Sequence, residues 1–360
     1  MLGYYAHQHG NGHSNYAQIF AKASGYKIPI FTSGYFKFDP GVKVYHLPQE
    51  DPDGTETSQD IIPVPDYLHY SPVGQLSIQQ RSAKLLQTVL DEGVKLMIVD
   101  LSVEMAALCR AASVPYAYVR LPGNRNDSGH LQAFQGATFL LAYYPKEVDS
   151  NEIPTWIKEK TIYLGFFDRF GSDERSTTAF SKEINTVAVI SGKGGNENLK
   201  ANLPKIFERF KDSRIDIYGL GLPNGQHDDN IRLVDYVEGF QQVLKDSDLI
   251  IGNCGLNTVS EILGSRKPFL SIAEERPFDE QYNMMKFLVQ YDLSVNLMDA
   301  YGMTDQEILQ KGTINPEFLN PQAPAQLLNW LDKQAYHPRN IVQNLRERNT
   351  QTSKKIINEI

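Results

Sequence analysis

The sequence predicts an α/β protein built as two Rossmann-like domains in tandem, each with a parallel sheet. Three observations predict it. Short apolar runs rich in β-branched and aromatic residues alternate with stretches of helical period, the pattern of βαβ units. Each half opens on a strand, a glycine-bearing turn and a helix, "LGYYAHQHGNGHSNYAQIFAKAS" in the first and "TVAVISGKGGNENLKANLPKIFERFKD" in the second. The length, 360 residues, exceeds what one core usually fills.

In the first half, strands are expected at "LGYYAH", "IPIFTS", "VKVYHL", "KLMIVDL", "PYAYVRL" and "TFLLAYY". Helices are expected between them at "SNYAQIFAKAS", "SIQQRSAKLLQTVLDEG" and "VEMAALCRAAS". The stretch "QEDPDGTETSQDIIPVPDYLHYSPVGQ" is long, acidic at its start and proline-rich, so it reads as a surface excursion. The polar segment "FDRFGSDERSTTAFSKEIN" has no clear period, which puts a linker at 166–184 between domains 1–165 and 185–335. The second half continues with strands at "RIDIYGL", "IRLVDYV", "LIIGNC", "PFLSIA" and "LSVNLM" and helices at "FQQVLKDS", "LNTVSEILGS" and "FDEQYNMMKFLVQY". The amphipathic "NIVQNLRERNTQTSKKIINEI", within 336–360, forms a C-terminal helix able to cross back to the first domain.

Composition narrows the function classes. Hydrophobic residues make up 41% and charged residues 22%, as in an ordinary soluble globular chain. Lys plus Arg number 35 against 43 Asp plus Glu, a net charge of −8, so no nucleic-acid partner is expected. Cys109 and Cys254 are the only cysteines, which fits reduced thiols in the cytoplasm. "MLGYYAHQHG" turns polar too soon for a secretory signal, and no apolar run is long enough to span a bilayer, although peripheral contact with a membrane stays open.

The most informative stretch is "LIIGNCGLNTVSEILGSRKPFLSIAEERPFDEQYNM". A strand enters a turn bearing Gly252 and Gly255, and a helix opens at Asn257 or Thr258. Free N–H groups and the positive dipole end at a helix start suit a phosphate. Glu261, a turn further in, could accept hydrogen bonds from vicinal ribose hydroxyls. The plainer alternative is that Asn257 or Thr258 caps the helix and Glu261 favours its first turn.

"NCGLNTVSE" followed by "KPFLSIAEERPFDEQYNM" resembles the donor-sugar signature of GT-B glycosyltransferases of family 1 and of family 28, the peptidoglycan N-acetylglucosaminyltransferase type. The resemblance implies that Gly255, Asn257 and Thr258 contact a diphosphate, that Glu261 holds the ribose, and that Glu280 and Gln281 meet the transferred sugar. It places the base near Gly239 and Phe240 in "VEGF", and a glycine loop at "SGKGG" with Gly194 on the donor side. Asn253 stands where many family 1 members have a phosphate-binding His, and Glu280 where they have Asp. An amide adds no positive charge, so the helix dipole would carry more of the phosphate affinity.

"HGNGH" resembles the Gly-x-Gly-His turn that opens the acceptor domain of the same families, with Gly10 and Gly12 shaping the turn. Inverting transfer needs a base, and a histidine suits that task. His13 is the candidate, with Asp100 at the end of "KLMIVD" placed to orient it or share the work; a structural turn residue is the alternative for His13. Arg120, Asn124, Arg125 and Asn126 follow a strand and a Pro-Gly turn, where they could bind an acceptor or form a solvated loop. His7, His9 and His13 lack the further ligands a zinc site needs, so no metal and no cofactor are expected. The expected activity is inverting sugar transfer from a UDP-linked donor to a hydroxyl of a saccharide or lipid-linked cell-envelope acceptor. The setting expected is cytoplasmic or at the inner face of the membrane. An epimerase or hydrolase on the same fold, or a noncatalytic nucleotide-sugar-binding protein, is the rival reading.

Overall fold

The computed structural model describes residues 1–8, 11–50, 62–171, 183–192, 195–221, 229–234, 240–311 and 316–358. In chain order the first half forms β1 (Leu2–Tyr5), α1 (Gly12–Ala23), β2 (Ile30–Thr32), β3 (Val44–His46), α2 (Leu76–Asp91), β4 (Leu96–Asp100), α3 (Val103–Ala111), β5 (Tyr116–Arg120), α4 (Ser128–Gly136), β6 (Phe139–Ala142), α5 (Thr155–Lys160) and β7 (Thr161–Tyr163). The second half begins β8 (Thr186–Ile190), α6 (Glu197–Arg209), β9 (Arg214–Tyr218), β10 (Ile231–Val234), α7 (Phe240–Asp246), β11 (Leu249–Asn253), α8 (Leu256–Ser265) and β12 (Phe269–Ile272). It ends with α9 (Glu280–Gln290), β13 (Val295–Asn296), α10 (Leu297–Ala300), α11 (Asp305–Lys311), α12 (Ala323–Lys333) and α13 (Pro338–Asn358).

Two parallel sheets result, ordered β3-β2-β1-β4-β5-β6-β7 and β10-β9-β8-β11-β12-β13. Their central strands read as unbroken apolar runs such as "LMIVD" and "LIIGN" because helices cover both faces, and every residue of β4 and β11 is buried. The strand order reverses between β1 and β4 and again between β8 and β11. The turns after these four strands therefore open on crevices, the usual ligand position in doubly wound sheets.

Six elements were not expected from the sequence: α4, α5, β7, α10, α11 and α12. α4, "SGHLQAFQG", has two glycines and no regular apolar stripe; α5 and β7 are short; α12 is amphipathic but starts with a proline in its first turn. The segment expected to open a linker behaves otherwise at its start. Phe166 and Phe167 are fully buried, and Phe166 bridges to Leu319, because apolar rings at this junction join the core; residues 172–182 lie outside the described set. One apolar cluster runs from Tyr16 and Phe20 through Phe166 and Phe167 to Phe287 and Ile341, so packing is continuous between the halves. Burying each such side chain contributes about 1.5–3 kcal/mol. The C-terminal helices do return to the first sheet: Trp330 packs edge-on against Phe139 at 6.0 Å, and Asn349 donates to the Glu159 carbonyl at 2.9 Å. Cys109 and Cys254 are unpaired and buried.

Candidate active site

The two switch points face each other. After β1, the chain turns into α1, whose second residue is His13; the neighbouring β4 ends on Asp100. His13 Nδ1 lies 2.9 Å from Asp100 Oδ1, with the imidazole mostly buried and the carboxylate fully so. Tyr4 O–H donates to Asp100 Oδ2 at 2.9 Å and is itself 3.2 Å from the Tyr143 hydroxyl. Burial pushes both phenols well above their ordinary range, so they stay protonated and act as donors. Burial disfavours the imidazolium of His13, but the Asp100 charge and contact outweigh it and raise its pKa above 6.5. His7 sits edge-on to His13 at 5.8 Å.

Across the crevice, α8 begins at Leu256 with Gly255 before it, no side-chain cap and no acidic residue in its first turn. The start of α1 is the same: no side-chain cap and no first-turn carboxylate. These two uncapped N-termini meet at Gly12, where a Cβ would stand 2.6 Å from Asn257 Nδ2. The third helix start nearby, α6, is closed to anions because the buried Glu274 accepts from Asn198 N at 2.8 Å and Leu199 N at 2.9 Å. The cleft between the switch points has a volume of about 320 Å³. Gly12, Phe240, Asn253, Gly255, Asn257, Thr258, Glu261, Glu280 and Gln281 all line it.

Several of these side chains already have partners. Asn253 donates to the Gly195 carbonyl at 3.0 Å, so its amide is engaged with backbone. Gln281 Oε1 accepts from the backbone N–H of Cys254 and of Glu274, both at 3.1 Å, tying α9 to the end of β11. Glu261 is buried, and burial pushes its carboxyl up to about 7 despite Arg169, whose Nε is 3.0 Å from Oε1. The Arg169 guanidinium also packs over the rings of Phe170 and Phe240, at 4.9 and 5.9 Å.

The turn after β5 is joined to the other half of the molecule. Arg125 Nη2 pairs with Glu280 Oε2 at 2.7 Å, and its guanidinium covers the ring of Phe278 at 4.7 Å. Asn124 N donates to the Phe278 carbonyl at 2.9 Å, while its side chain binds Glu152 and Ser150. Phe278 and Asp279 both have positive φ, 65° and 56°, a conformation that costs energy for non-glycine residues and is held here by these contacts. Arg120 corrects the sequence reading: β5 directs it inward, where it forms a buried bidentate pair with Asp149 at 3.0 and 3.1 Å. It is a buried structural cation, whereas Arg125 pairs with Glu280 beside the cleft. Gly10 and Gly194, like Gly239, lie outside the described residues.

Sequence reasoning missed Tyr4 and Tyr143 behind Asp100, and Arg169 and Arg276 in the cleft wall. Arg169 had a visible signal, as one of few cations flanked by aromatics in a segment read as linker; the tyrosines resembled any strand aromatic.

Two doubly wound domains whose switch points face one another make the GT-B fold, and this chain has that fold. A more particular mark lies in its second half, where residues 179–351 match the glycosyltransferase family 28 C-terminal domain. Over the whole chain it is similar to MurG of Acinetobacter baumannii, with 12% identity, TM-score 0.57, and 92% of this chain and 99% of that one covered. The glycosyltransferase SsfS6 of Streptomyces sp. SF2575, solved with thymidine diphosphate, shares 10% identity, TM-score 0.57 and the same coverage. UGT2 of Phytolacca americana, solved with UDP-2fluoro-glucose and pterostilbene, shares 13% identity, TM-score 0.55, with 98% and 99% covered. Comparison with curated protein sequences gave no match. The family 28 domain and the GT-B fold together support a glycosyltransferase that uses a nucleotide sugar.

Proposed function

We propose that the protein is an inverting glycosyltransferase that moves a hexose-type sugar from a UDP-sugar to a hydroxyl of a saccharide or lipid-linked acceptor, with no metal in the transfer step. The observation that carries this reading is the meeting of two uncapped helix N-termini, α1 and α8, at Gly12 and Asn257. Free N–H groups there stabilise the charge that develops on a departing diphosphate, the role a divalent cation has elsewhere. Domains 1–165 and 185–335 take acceptor and donor respectively. Asp100 holds the His13 proton on Nδ1, which leaves Nε2 with a lone pair. Nε2 takes the acceptor proton as its oxygen bonds to the anomeric carbon from the face opposite the leaving group. The bond from that carbon to the diphosphate oxygen breaks, and its electron pair leaves with the diphosphate. Ribose hydroxyls compete with Arg169 for Glu261, Phe240 flanks the base, and Asn257 and Thr258 add donors to the phosphates.

A cell-envelope acceptor at the inner face of the membrane is the class that the family 28 resemblance favours. Among the described residues no helix is long and apolar enough to cross a membrane. The test is a thermal-shift titration with UDP, dTDP and GDP, since a ligand that binds only the folded state stabilises it by about 2.7 kcal/mol at a hundredfold excess over Kd. UDP is expected to give the largest rise. No shift with millimolar amounts of any of the three overturns the nucleotide-sugar reading, and a larger rise with dTDP overturns the choice of base.

A further inference from the structure

Three side chains with no part in the transfer reaction meet on the rim of the first domain. His69, from the segment between β3 and α2, places Nε2 2.9 Å from Asp127 Oδ1. His130, in the first turn of α4, places Nδ1 2.6 Å from Asp127 Oδ2. One nitrogen or oxygen from each residue lies within 4.8 Å of the others.

The cluster is held from both sides. Asp127 is the N-cap of α4 and accepts from His130 N at 3.2 Å, which fixes the carboxylate and the helix start together. The backbone N–H groups of His69 and Tyr70 donate to Glu104 at 2.7 and 2.9 Å, which fixes the loop. Gly129 leaves room for the imidazole, since a Cβ there would stand 2.9 Å from His69 Nε2 and would push the ring aside. His130 is buried, whereas the side chain of His69 is 45% exposed, so one side of the cluster faces solvent. Arg125, whose charge also acts on His130, packs over the ring of Phe278 at 4.7 Å and is paired with Glu280.

We propose that His69, Asp127 and His130 bind a divalent transition-metal ion of the zinc class, through Nε2, a carboxylate oxygen and Nδ1. Two imidazoles and one carboxylate are a donor set that such ions prefer over magnesium or calcium. Zinc–nitrogen bonds of about 2.0–2.1 Å in a tetrahedral site put neighbouring ligand atoms about 3.3 Å apart. The separations of 2.6 and 2.9 Å bracket that need from below and the 4.8 Å limit from above, so small side-chain rotations complete the site. Each neutral imidazole carries its proton on the other ring nitrogen when the metal binds, and water fills the solvent-facing positions. The ion joins the 62–75 loop to α4, whose His130 packs edge-on against Phe278 at 5.2 Å. It thus stiffens the first-domain side of the contact with the donor loop and takes no part in proton or sugar transfer.

Equilibrium dialysis of the chelator-treated full chain against zinc, with cobalt(II) absorption as a second readout, tests this without any activity assay. One zinc per chain is expected, with cobalt bands of tetrahedral or five-coordinate intensity. His69→Ala, at a half-exposed position, and Asp127→Asn should each weaken zinc at least ~10-fold, with far-UV circular dichroism confirming that both fold. His7→Ala should leave zinc binding unchanged. The proposal fails if the wild type takes up no zinc at a large molar excess. It also fails if His69→Ala and Asp127→Asn bind like wild type, or if His7→Ala is the variant that loses the ion.

Discussion

Asp100→Asn is the sharpest perturbation of the proposed mechanism, because the amide keeps the shape of the carboxylate while inverting its hydrogen-bonding sense. Tyr4 O–H donates to Oδ2, so in the variant the amide oxygen stays toward Tyr4 and the NH2 faces His13 Nδ1. An N–H donor at that position forces Nδ1 to accept, moves the imidazole proton to Nε2, and leaves no lone pair for the acceptor hydroxyl. The electrostatic loss is of matching size. Opposite charges 2.9 Å apart attract by about 6 kcal/mol at an effective dielectric near 20, before desolvation is subtracted. General-base catalysis contributes ~10²–10⁴-fold, so kcat should fall by that factor, equivalent to about 3–5.5 kcal/mol of activation free energy. Donor KM should change little, since Asp100 is buried behind His13. The wild-type kcat/KM should rise with pH as His13 deprotonates, with its acidic limb above 6.5, and that limb should move down or vanish in the variant. Steady-state rates from pH 5.5 to 9, measured by nucleoside-diphosphate release, decide the matter. A variant within threefold of wild type, with the acidic limb unmoved, would refute the reasoning.

Gly12→Ala adds a methyl group 2.6 Å from Asn257 Nδ2, so the amide must swing aside; donor KM should rise several-fold while stability changes by less than about 1 kcal/mol, read by kinetics and thermal melts. Glu261→Gln tests the raised carboxyl. An unfolded glutamate titrates near ~4.3, whereas the folded group titrates at about 7, so its contribution to stability is present at low pH and is lost as pH rises through about 7. The Tm of the Gln variant relative to wild type should therefore climb from pH 5 to pH 8, and a flat difference counts against the raised pKa. Asp149→Ala leaves Arg120 buried without its bidentate partner and should destabilise by ~3–5 kcal/mol in thermal unfolding; a cost below about 1 kcal/mol would show that Arg120 escapes to solvent.

What could be read before folding was whatever is encoded within one or two consecutive elements. Alternation of apolar runs and helical periods marked the strands of both sheets, and the glycines between β1 and α1 and between β11 and α8 marked the turns where the crevices open. The helix start at Leu256–Asn257–Thr258 and the pair Glu280 and Gln281 could be singled out because each group follows on along the chain, and the structure brings them to one cleft. The same local window misjudged Arg120, which looks like any arginine at a strand end and proves to be buried on Asp149, 29 residues away. It also read Phe166 and Phe167 as the start of a polar linker, since nothing nearby in sequence shows that the core lies beneath them.

The sequence alone therefore determined the fold class and the position of the strand–glycine–helix turns that open each half, because backbone propensity and periodicity act over a few residues. Only the tertiary structure decided that Asp100 faces His13 with Tyr4 and Tyr143 behind it, that Arg169 holds Glu261, that Arg125 locks onto Glu280, and that His69 reaches Asp127 and His130. Those pairings join residues from 58 to 155 positions apart wherever a hydrogen bond crosses between distant segments such as His69 with Asp127 or Arg125 with Glu280. Their physical cause is the sheet order and the burial that strips water from the charges, and neither is encoded in any short stretch of chain.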